Sequence, residues 1–294
     1  VGGHGTSDRT LSGTIYRVAP RGFKPVVPKL NLNTQTGQIA ALRSPAINTR
    51  YLGFSRLREA GEESIVPLFQ LAKDSNPYVA ARAIWLLAQL GETSQRALSM
   101  LLEAEFKGDG NPQTRIVAFR ALRRAKHPGM MDLARRLAAD RSPAVRREVA
   151  FYLRNEKATP PVISILVELA KRYDGKDRTY LEAFGTGATG KEAAVYAALV
   201  KDTKPSDWNK ATAGAVWRLM TAAAIPALQE RVFNRKLPVS DRSEALESIA
   251  FVRSGSAANA MVDIANLAQQ KELADRAAFW VKWNNDRWWK SYKP

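Results

Sequence analysis

The sequence predicts an all-α protein, a solenoid of helix pairs preceded by a short extended or β-type N-terminal segment. Two observations support this fold class: one stretch has the start, the periodicity and the stop of a helix, and that stretch recurs along the chain. Of the 294 residues, 45% are hydrophobic and 25% charged, which is typical of a globular chain. Because each repeat of a solenoid contacts only its neighbours, no single large core is required.

The clearest repeat unit is residues 74–91. Asn76 is suited to cap a helix, Pro77 to its first position, and Gly91 follows the last apolar residue. Five apolar residues recur between them at helical spacing: Val79, Ala83, Leu86, Leu87 and Leu90. An isolated helix of this length is marginal in water, so its apolar face must pack against a partner.

The chain supplies that partner by repeating the unit. Four prolines that open such helices, here called anchor helices, lie 32, 35 and 31 residues apart: Pro45, Pro77, Pro112 and Pro143. A second apolar helix is predicted after each of them, over residues 65–71, 97–102, 130–137 and 162–169. Tandem helix pairs of this length are the signature of an α-solenoid.

Beyond residue 172 the pattern weakens but the pairs continue. Helices are predicted over 178–184, 192–200, 211–220, 222–233, 242–252 and 257–267, with a terminal capping helix over 273–283. The stretch 185–192 satisfies G-x-G-x-x-G, but it follows a predicted helix and not a strand. We therefore interpret it as a glycine-rich turn between helices and not as a nucleotide-binding loop. Asp174 and Asp177 are predicted to cap the helix that follows them.

The anchor units share the pattern Asp-x-x-Pro-x-Val-Arg-x-x-Ala. The copy at Asp140 matches it except at Val149, the copy at Asp74 has Ala80 in place of arginine, and the earliest copy has Leu42 in place of aspartate. This pattern resembles the HEAT repeat. The resemblance implies a HEAT-like α–α superhelix over residues 36–294, with a tryptophan-rich C-terminal cap.

Residues 1–35 differ from the rest of the chain. Residues 13–18 form a short β-type run, and a Pro- and Gly-containing stretch follows it. A single strand needs a neighbour for its backbone groups, which leaves three partners open: the solenoid, another chain or a preceding domain. Residues 1–35 are accordingly interpreted as a separate extended segment.

This N-terminal stretch carries a second resemblance. Residues 2–4 and 13–22 are similar to the closing strand of a sugar-dehydrogenase-type β-propeller, found in large periplasmic proteins of the Planctomycetes and relatives. Residues 173–183 and the tryptophan-rich C-terminus are similar to the HEAT regions of those proteins. The resemblance implies a periplasmic parent with a propeller, HEAT repeats and a c-type cytochrome domain. Such a parent oxidises a sugar or alcohol and passes electrons to haem c, and its propeller and cytochrome are the implied partners.

Catalytic signals are sparse in the sequence. The chain has no cysteine, which excludes disulfides, thiolate zinc sites and covalent haem c attachment within it. His4 and His127 are the two histidines, and no H-E-x-x-H, G-x-S-x-G or EF-hand spacing occurs. We therefore predict no catalytic residue, metal or cofactor in this chain itself. No apolar run reaches the length of a membrane span, and the N-terminus lacks a signal-peptide pattern.

Positive charge is the strongest compositional feature. The net charge of +17 favours an anionic partner, and residues 115–154 carry eleven Lys and Arg against three Asp and Glu. Arg115 and Arg146 occupy equivalent repeat positions, so we expect them to stack with Asp109 and Asp140 as an internal ladder. In the adjacent pairs Arg123–Arg124 and Arg135–Arg136, at least one member must face outward. These four arginines, the arginine surface, are the predicted interaction surface.

Aromatic residues crowd the C-terminus. Trp280 and Trp283 lie one turn apart and are predicted to close the open end of the solenoid. Trp288, Trp289 and Tyr292 lie beyond them. Together with His4, these three are candidates for docking onto a neighbouring domain.

Two functions fit the sequence. The first is a non-catalytic HEAT scaffold that positions a redox domain against its partners. The alternative is a nucleic-acid-binding HEAT solenoid with a basic face, and it rests on charge alone. Salt-dependent affinity for DNA separates the two, because phosphate contacts release counterions.

Overall fold

The protein is all-α over the residues that the structure describes. A computed structural model describes residues 18–24, 29–107 and 110–292, and every regular element within them is a helix. The β-type run predicted at residues 13–18 lies outside the described residues except for Val18, which belongs to no regular element. His4 and Asp109 also lie outside them.

The chain divides into two compact units, residues 1–57 and 58–294. The boundary after residue 35 that the sequence suggests stays a prediction. The first unit contains α1, Gln35–Arg43, and most of α2, Ile47–Glu59. Thr34 caps α1 by accepting a hydrogen bond from the Gly37 N–H. The two helices approach so closely at Gly53 that a Cβ there would lie 2.6 Å from the backbone of α1.

The second unit contains the remaining helices, and most of them agree with the predicted ranges. They are α3 Ile65–Leu71, α4 Pro77–Leu87, α5 Glu92–Lys107, α6 Pro112–Arg124, α7 Met130–Leu137, α8 Pro143–Leu153, α9 Pro160–Lys171, α10 Arg178–Ala188, α11 Glu192–Val200, α12 Lys210–Leu219, α13 Ile225–Phe233, α14 Val239–Ala250, α15 Gly255–Leu267 and α16 Lys271–Asn285. Short 3₁₀ turns occur at Gly61–Ser64, Pro205–Asp207, Ala222–Ala224 and Lys290–Tyr292.

Within this unit the helices form two layers. The anchor helices α4, α6 and α8 pack successively against one another, and α10, α12, α14 and α16 continue this first layer. We call this layer the anchor layer and all its helices anchor helices. In the second layer α9 packs against α11, and α13 against α15. This arrangement is the predicted solenoid of HEAT-type helix pairs. In the close pairs α3–α4, α5–α6 and α13–α14 the second helix packs mainly on the helix before it, whereas the sequence pattern pairs it with the helix after it. The anchor helix α8 contacts α7 and α9 equally.

The cap predicted at Asn76 is formed, and Asn111 and Asn209 form caps of the same kind that the sequence analysis does not predict. The side chains of Asn76, Asn111 and Asn209 accept hydrogen bonds from backbone N–H groups in the first turns of α4, α6 and α12. Pro77, Pro112 and Pro143 each open their helix where no backbone donor is needed. The leucines between the layers are almost fully buried, among them Leu86, Leu87, Leu122, Leu153 and Leu166. Each buried leucine contributes about 1.5–3 kcal/mol of hydrophobic stabilisation.

The stretch 185–192 is not the turn that we predicted. Gly185 and Gly187 lie inside α10 and are buried, and only Gly190, with φ +77°, belongs to the turn. A Cβ on Gly187 would lie 2.6 Å from the Ala150 carbonyl oxygen of α8. The glycine therefore lets two anchor helices approach closely, and the strand–loop–helix geometry of a phosphate-binding loop is not formed by these residues.

Candidate functional site

Buried polar bonds connect consecutive anchor helices. The Arg115 guanidinium forms two hydrogen bonds to the Asp140 carboxylate, from Nε at 2.8 Å and from Nη2 at 2.9 Å. Its Nη1 donates to the carbonyl oxygens of Gly110 and Glu105. Asp140 also accepts the Ser142 N–H, which fixes the entry to α8. Both side chains of the pair are 1% exposed, so the internal ladder predicted for Arg115 is confirmed.

The ladder continues through Arg146. Its Nη1 donates to the Asp140 carbonyl oxygen at 2.6 Å, and its Nε donates to the Tyr180 hydroxyl at 3.2 Å. That hydroxyl in turn donates to the Leu169 carbonyl oxygen. Burial raises the pKa of Tyr180, and the hydrogen bond from Arg146 opposes that rise. The second predicted arginine therefore also serves contacts between repeats.

Further ion pairs cross between helices near the surface. Arg120 contacts Glu148 with two hydrogen bonds, and the bond to Glu148 raises the pKa of Arg120. Arg147 lies 3.5 Å from Asp177. Several cations of the basic stretch 115–154 are thus already paired within the protein, which reduces the charge left for an external anion.

The arginine surface is partly exposed. Arg124, Arg135 and Arg136 are exposed, and the Arg123 guanidinium lies 5.9 Å from the centre of the Tyr152 ring. Arg135 is paired with Asp132 at 2.9 Å and Arg136 with Glu103 at 2.6 Å. Each adjacent pair presents at least one member to solvent, as the helical geometry requires. The role of these arginines in binding stays a prediction.

The remaining polar residues singled out in the sequence have local roles. Asp177 caps α10 by accepting the Tyr180 N–H, and Asp174 accepts the N–H groups of Lys176 and Asp177, which lowers the pKa of Asp174. His127 Nδ1 accepts the Gly129 N–H, and burial lowers the pKa of His127. Among the described residues, no group of three or more His, Cys, Asp or Glu is placed to hold a metal ion.

The C-terminal aromatics are arranged differently from the prediction. Trp289 is fully buried, and its indole N–H donates to the Val252 carbonyl oxygen at 2.9 Å. Trp283 is 44% exposed and packs between Phe279 and the Arg287 guanidinium. Trp289 therefore fills the last repeat in place of Trp283. Because Trp289 has no exposed surface, the docking role predicted for it does not fit this position.

Trp288 and Tyr292 pack against the loop before α15. The Tyr292 hydroxyl donates to the Arg253 carbonyl oxygen at 3.4 Å, and the Arg253 guanidinium lies 5.3 Å from the centre of the Trp288 ring. The ring of Tyr292 remains 45% exposed. Docking of these two residues onto a neighbouring domain stays a prediction, and His4 is outside the described residues.

The sequence reasoning missed an open cavity on the anchor layer. It has a volume of about 440 Å³ and lies between α10, α12 and α14. Ala213, Gly214 and Trp217 of α12 form its centre, and the Arg178 guanidinium lies 4.6 Å from the centre of the Trp217 ring. The local sequence offers two small residues, Ala213 and Gly214, which do not by themselves indicate a cavity.

Charged side chains surround this cavity. The α10 and α12 sides carry Lys176, Arg178 and Lys210, and the α14 side carries Asp241, Glu244 and Glu247. Arg178 pairs with Glu182 at 2.6 Å, and Glu247 pairs with Arg276 at 2.5 Å. The cavity is a candidate binding site with an apolar centre and oppositely charged sides.

Two of the three comparisons with known proteins found matches. A family model described as HEAT repeats matches residues 101–183. The solved structure of YibA from Escherichia coli is 13% identical, with a TM-score of 0.43 over 85% of this chain and 92% of that chain. Human deoxyhypusine hydroxylase in complex with glycerol is 16% identical, with a TM-score of 0.33 over 85% of this chain and 96% of that chain. A search of the curated proteins found no match.

The helix stack and the family match over residues 101–183 define an all-α HEAT-repeat solenoid, a class of protein that presents stacked helices to protein partners. Within the described ranges, no helix is both long and apolar enough to cross a membrane.

Proposed function

We propose that this chain is a non-catalytic scaffold that binds other proteins through the surface of its helix stack. The observation that carries the proposal is the buried Arg115–Asp140 pair and its continuation to Arg146 and Tyr180. These bonds fix the spacing of successive anchor helices. Exposed side chains on neighbouring helices are therefore held in constant relative positions, as a docking surface requires.

We further propose that the scaffold belongs to a larger periplasmic protein that oxidises a sugar or alcohol and passes electrons to haem c. The similarity of residues 2–4, 13–22 and 173–183 to such proteins supports this proposal. The chain has no cysteine, so haem c would be attached to an adjacent domain or a partner. The scaffold would then hold the propeller dehydrogenase and the cytochrome at a fixed separation.

Analysis of the natural gene product tests this assignment. An antibody raised against residues 58–292 is used to probe periplasmic and cytoplasmic fractions of the source cells, and the same bands are stained for covalent haem. We expect a periplasmic species well above the 32.5 kDa of this chain, either haem-stained itself or co-purifying with a haem-stained band. A cytoplasmic species of 32.5 kDa that purifies without haem would overturn the assignment to a redox parent.

The affinity of the chain for DNA separates the scaffold proposal from the nucleic-acid-binding alternative. Arg115, Arg120 and Arg146 already bind groups of the protein, so we expect few cations to reach phosphate. Filter binding to a duplex between about 50 and 200 mM salt should show weak affinity and a slope of log K against log[salt] near zero. Submicromolar affinity with a steep slope, lost when Arg123, Arg124, Arg135 and Arg136 are changed to glutamate, would instead support nucleic-acid binding.

A further inference from the structure

The cavity between α10, α12 and α14 is lined on α12 by two small residues. Ala213 and Gly214 lie between α10, which carries Leu181, and α14, which carries Glu244. A Cβ on Gly214 would lie 3.0 Å from Cε1 of the buried Tyr173, so the Tyr173 ring packs directly on this glycine. The cavity has a volume of about 440 Å³ and is open to solvent, and this volume lies within the range of ligand sites in proteins.

The two sides of the cavity carry opposite charge. Lys176 precedes α10 and Lys210 opens α12; both are exposed, and neither forms an ion pair with the described residues. Glu244 of α14 is also exposed and without an ion pair among them. Because α12 lies between α10 and α14 in the anchor layer, a ligand that crosses the three helices meets cations first and carboxylates last.

The wall of the cavity also offers polar groups for a ligand. The Arg231 side chain is 3% exposed, and its Nη1 donates to the carbonyl oxygens of Pro205 and Trp208. Its Nη2 lies 3.9 Å from Asp241 Oδ2, which is longer than a hydrogen bond. Arg231 Nη2 can therefore still donate a hydrogen bond, and Asp241 Oδ2 can still accept one. A peptide backbone supplies a carbonyl oxygen for the first and an N–H group for the second.

We propose that this cavity binds an extended segment of a partner protein. The segment places an acidic side chain beside Lys176 and Lys210, an apolar side chain over Ala213 and Gly214, and a basic side chain beside Glu244. The opposite charges of the two sides fix the direction of the segment. Glu244 and Asp241 would repel a polyanion, so the site favours a peptide over nucleic acid. The inference rests on the proposed scaffold function only in taking a protein as the partner.

Selection from a random peptide library tests the site. Phage-displayed dodecapeptides are panned against the full chain, with a parallel panning against the Ala213→Phe variant. We expect enriched sequences with an acidic, an apolar and a basic residue in one constant order. A synthetic peptide of that sequence should bind the wild-type chain and bind Ala213→Phe about tenfold or more weakly, because the added ring fills the cavity.

Charge variants keep the test independent of folding. Lys210→Glu and Glu244→Lys change exposed side chains, so both should keep the wild-type circular dichroism spectrum and melting temperature. Each variant should lower the affinity for the selected peptide about five- to tenfold. A peptide in which the matching charge is reversed should restore the affinity in each case. Lys157→Glu, in the loop between α8 and α9 and away from the cavity, is the matched control and should leave peptide affinity unchanged.

Two results would overturn the proposal. The first is a panning that enriches no common sequence, or one whose peptides bind Ala213→Phe as tightly as the wild-type chain. The second is peptide affinity that responds to Lys157→Glu but not to Lys210→Glu or Glu244→Lys. Neither result bears on the redox parent, whose test is the mass and haem content of the natural product.

Discussion

At the scale of single residues, the HEAT stack depends on how Arg115 and Asp140 satisfy each other inside the protein. Nε and both terminal nitrogens of the guanidinium donate hydrogen bonds, and both carboxylate oxygens accept from it. Separating either ion from its partner would leave a charge buried at 1% exposure. The desolvation of an unpaired ion costs several kcal/mol, so this pair constrains how α6 and α8 pack.

We predict that Asp140→Ala lowers the free energy of unfolding by about 3–5 kcal/mol, because it leaves the Arg115 guanidinium buried without its carboxylate. Urea denaturation followed by circular dichroism measures the change. The matched control is Asp132→Ala, which removes an exposed pair with Arg135 and should cost less than about 1 kcal/mol. Equal losses for the two variants would show that burial of the pair does not matter.

A second residue-scale prediction concerns Glu182. Burial acts to raise the pKa of Glu182, but the hydrogen bonds and charges of Arg218 and Arg178 outweigh it, so the net pKa lies below its ordinary value. A carboxylate with a lowered folded-state pKa adds stability above its unfolded pKa, about 4.5, and that stability is lost as the pH falls through the folded-state pKa.

Urea midpoints of wild type and Glu182→Gln between pH 7 and pH 3 measure this contribution. The difference between the urea midpoints of the two proteins should be largest near neutral pH and should become smaller below about pH 4.5. A gap that stays constant across this range would contradict the role of the Arg218 and Arg178 contacts.

At the scale of helices, the closeness of α8 and α10 depends on Gly187. A Cβ at this position would lie 2.6 Å from the Ala150 carbonyl oxygen, and backbone cannot rotate away as a side chain can. We predict that Gly187→Ala lowers the free energy of unfolding by about 1–3 kcal/mol. In an unpacked helix the same change would instead stabilise the protein by up to about 1 kcal/mol. The sign of the measured change therefore shows whether α8 packs closely on Gly187.

Gly190→Ala is the control for this prediction. Gly190 has φ +77° and open space around its Cβ position, so its substitution tests backbone strain without a clash. We expect a cost of about 1–2 kcal/mol there. Thermal melts of both variants, with far-UV circular dichroism to confirm helix content, make the comparison.

At the scale of the whole solenoid unit, residues 58–294, the last repeat is closed by Trp289. Its side chain is fully buried and bonded to the Val252 carbonyl oxygen, and Asn284 of α16 donates to the Ala250 carbonyl oxygen. Because repeats contact only their neighbours, damage at this end should remain local. Loss of the Trp289 side chain should therefore loosen α15 and α16 and leave distant helices unchanged.

We predict that Trp289→Ala, which removes about 3–5 kcal/mol of packing, speeds amide hydrogen exchange in α15 and α16 while exchange in α6 stays unchanged. Hydrogen–deuterium exchange with mass spectrometry resolves the two regions. Trp283→Ala is the matched control, since its ring is 44% exposed, and it should change exchange little. Faster exchange across all helices would contradict nearest-neighbour behaviour.

Much of the helix pattern could be predicted from local sequence. The ranges predicted for α3, α7 and α11 equal those observed, because caps, prolines and apolar periodicity act within a few residues. The buried role of Arg115 followed from its repeat position. The closing role of Trp289 did not, because a tryptophan two turns past a helical pattern gives no local sign of whether it folds back.

Residues 185–192 and the cavity also could not be predicted from local sequence. Gly187 reads locally as a turn former, yet contact with α8 places it inside a helix. Ala213 and Gly214 read as neutral helix residues, and they become a cavity only when α10 and α14 lie on either side.

The sequence by itself determined that this protein is a series of α-helices stacked as HEAT-type repeats, since helix boundaries and repeat spacing depend on short-range interactions. The tertiary structure decided which helix each anchor packs on most closely, which arginines are buried, which tryptophan closes the end and where the anchor layer opens. These features depend on contacts between residues about 30 positions apart, and no local pattern contains them.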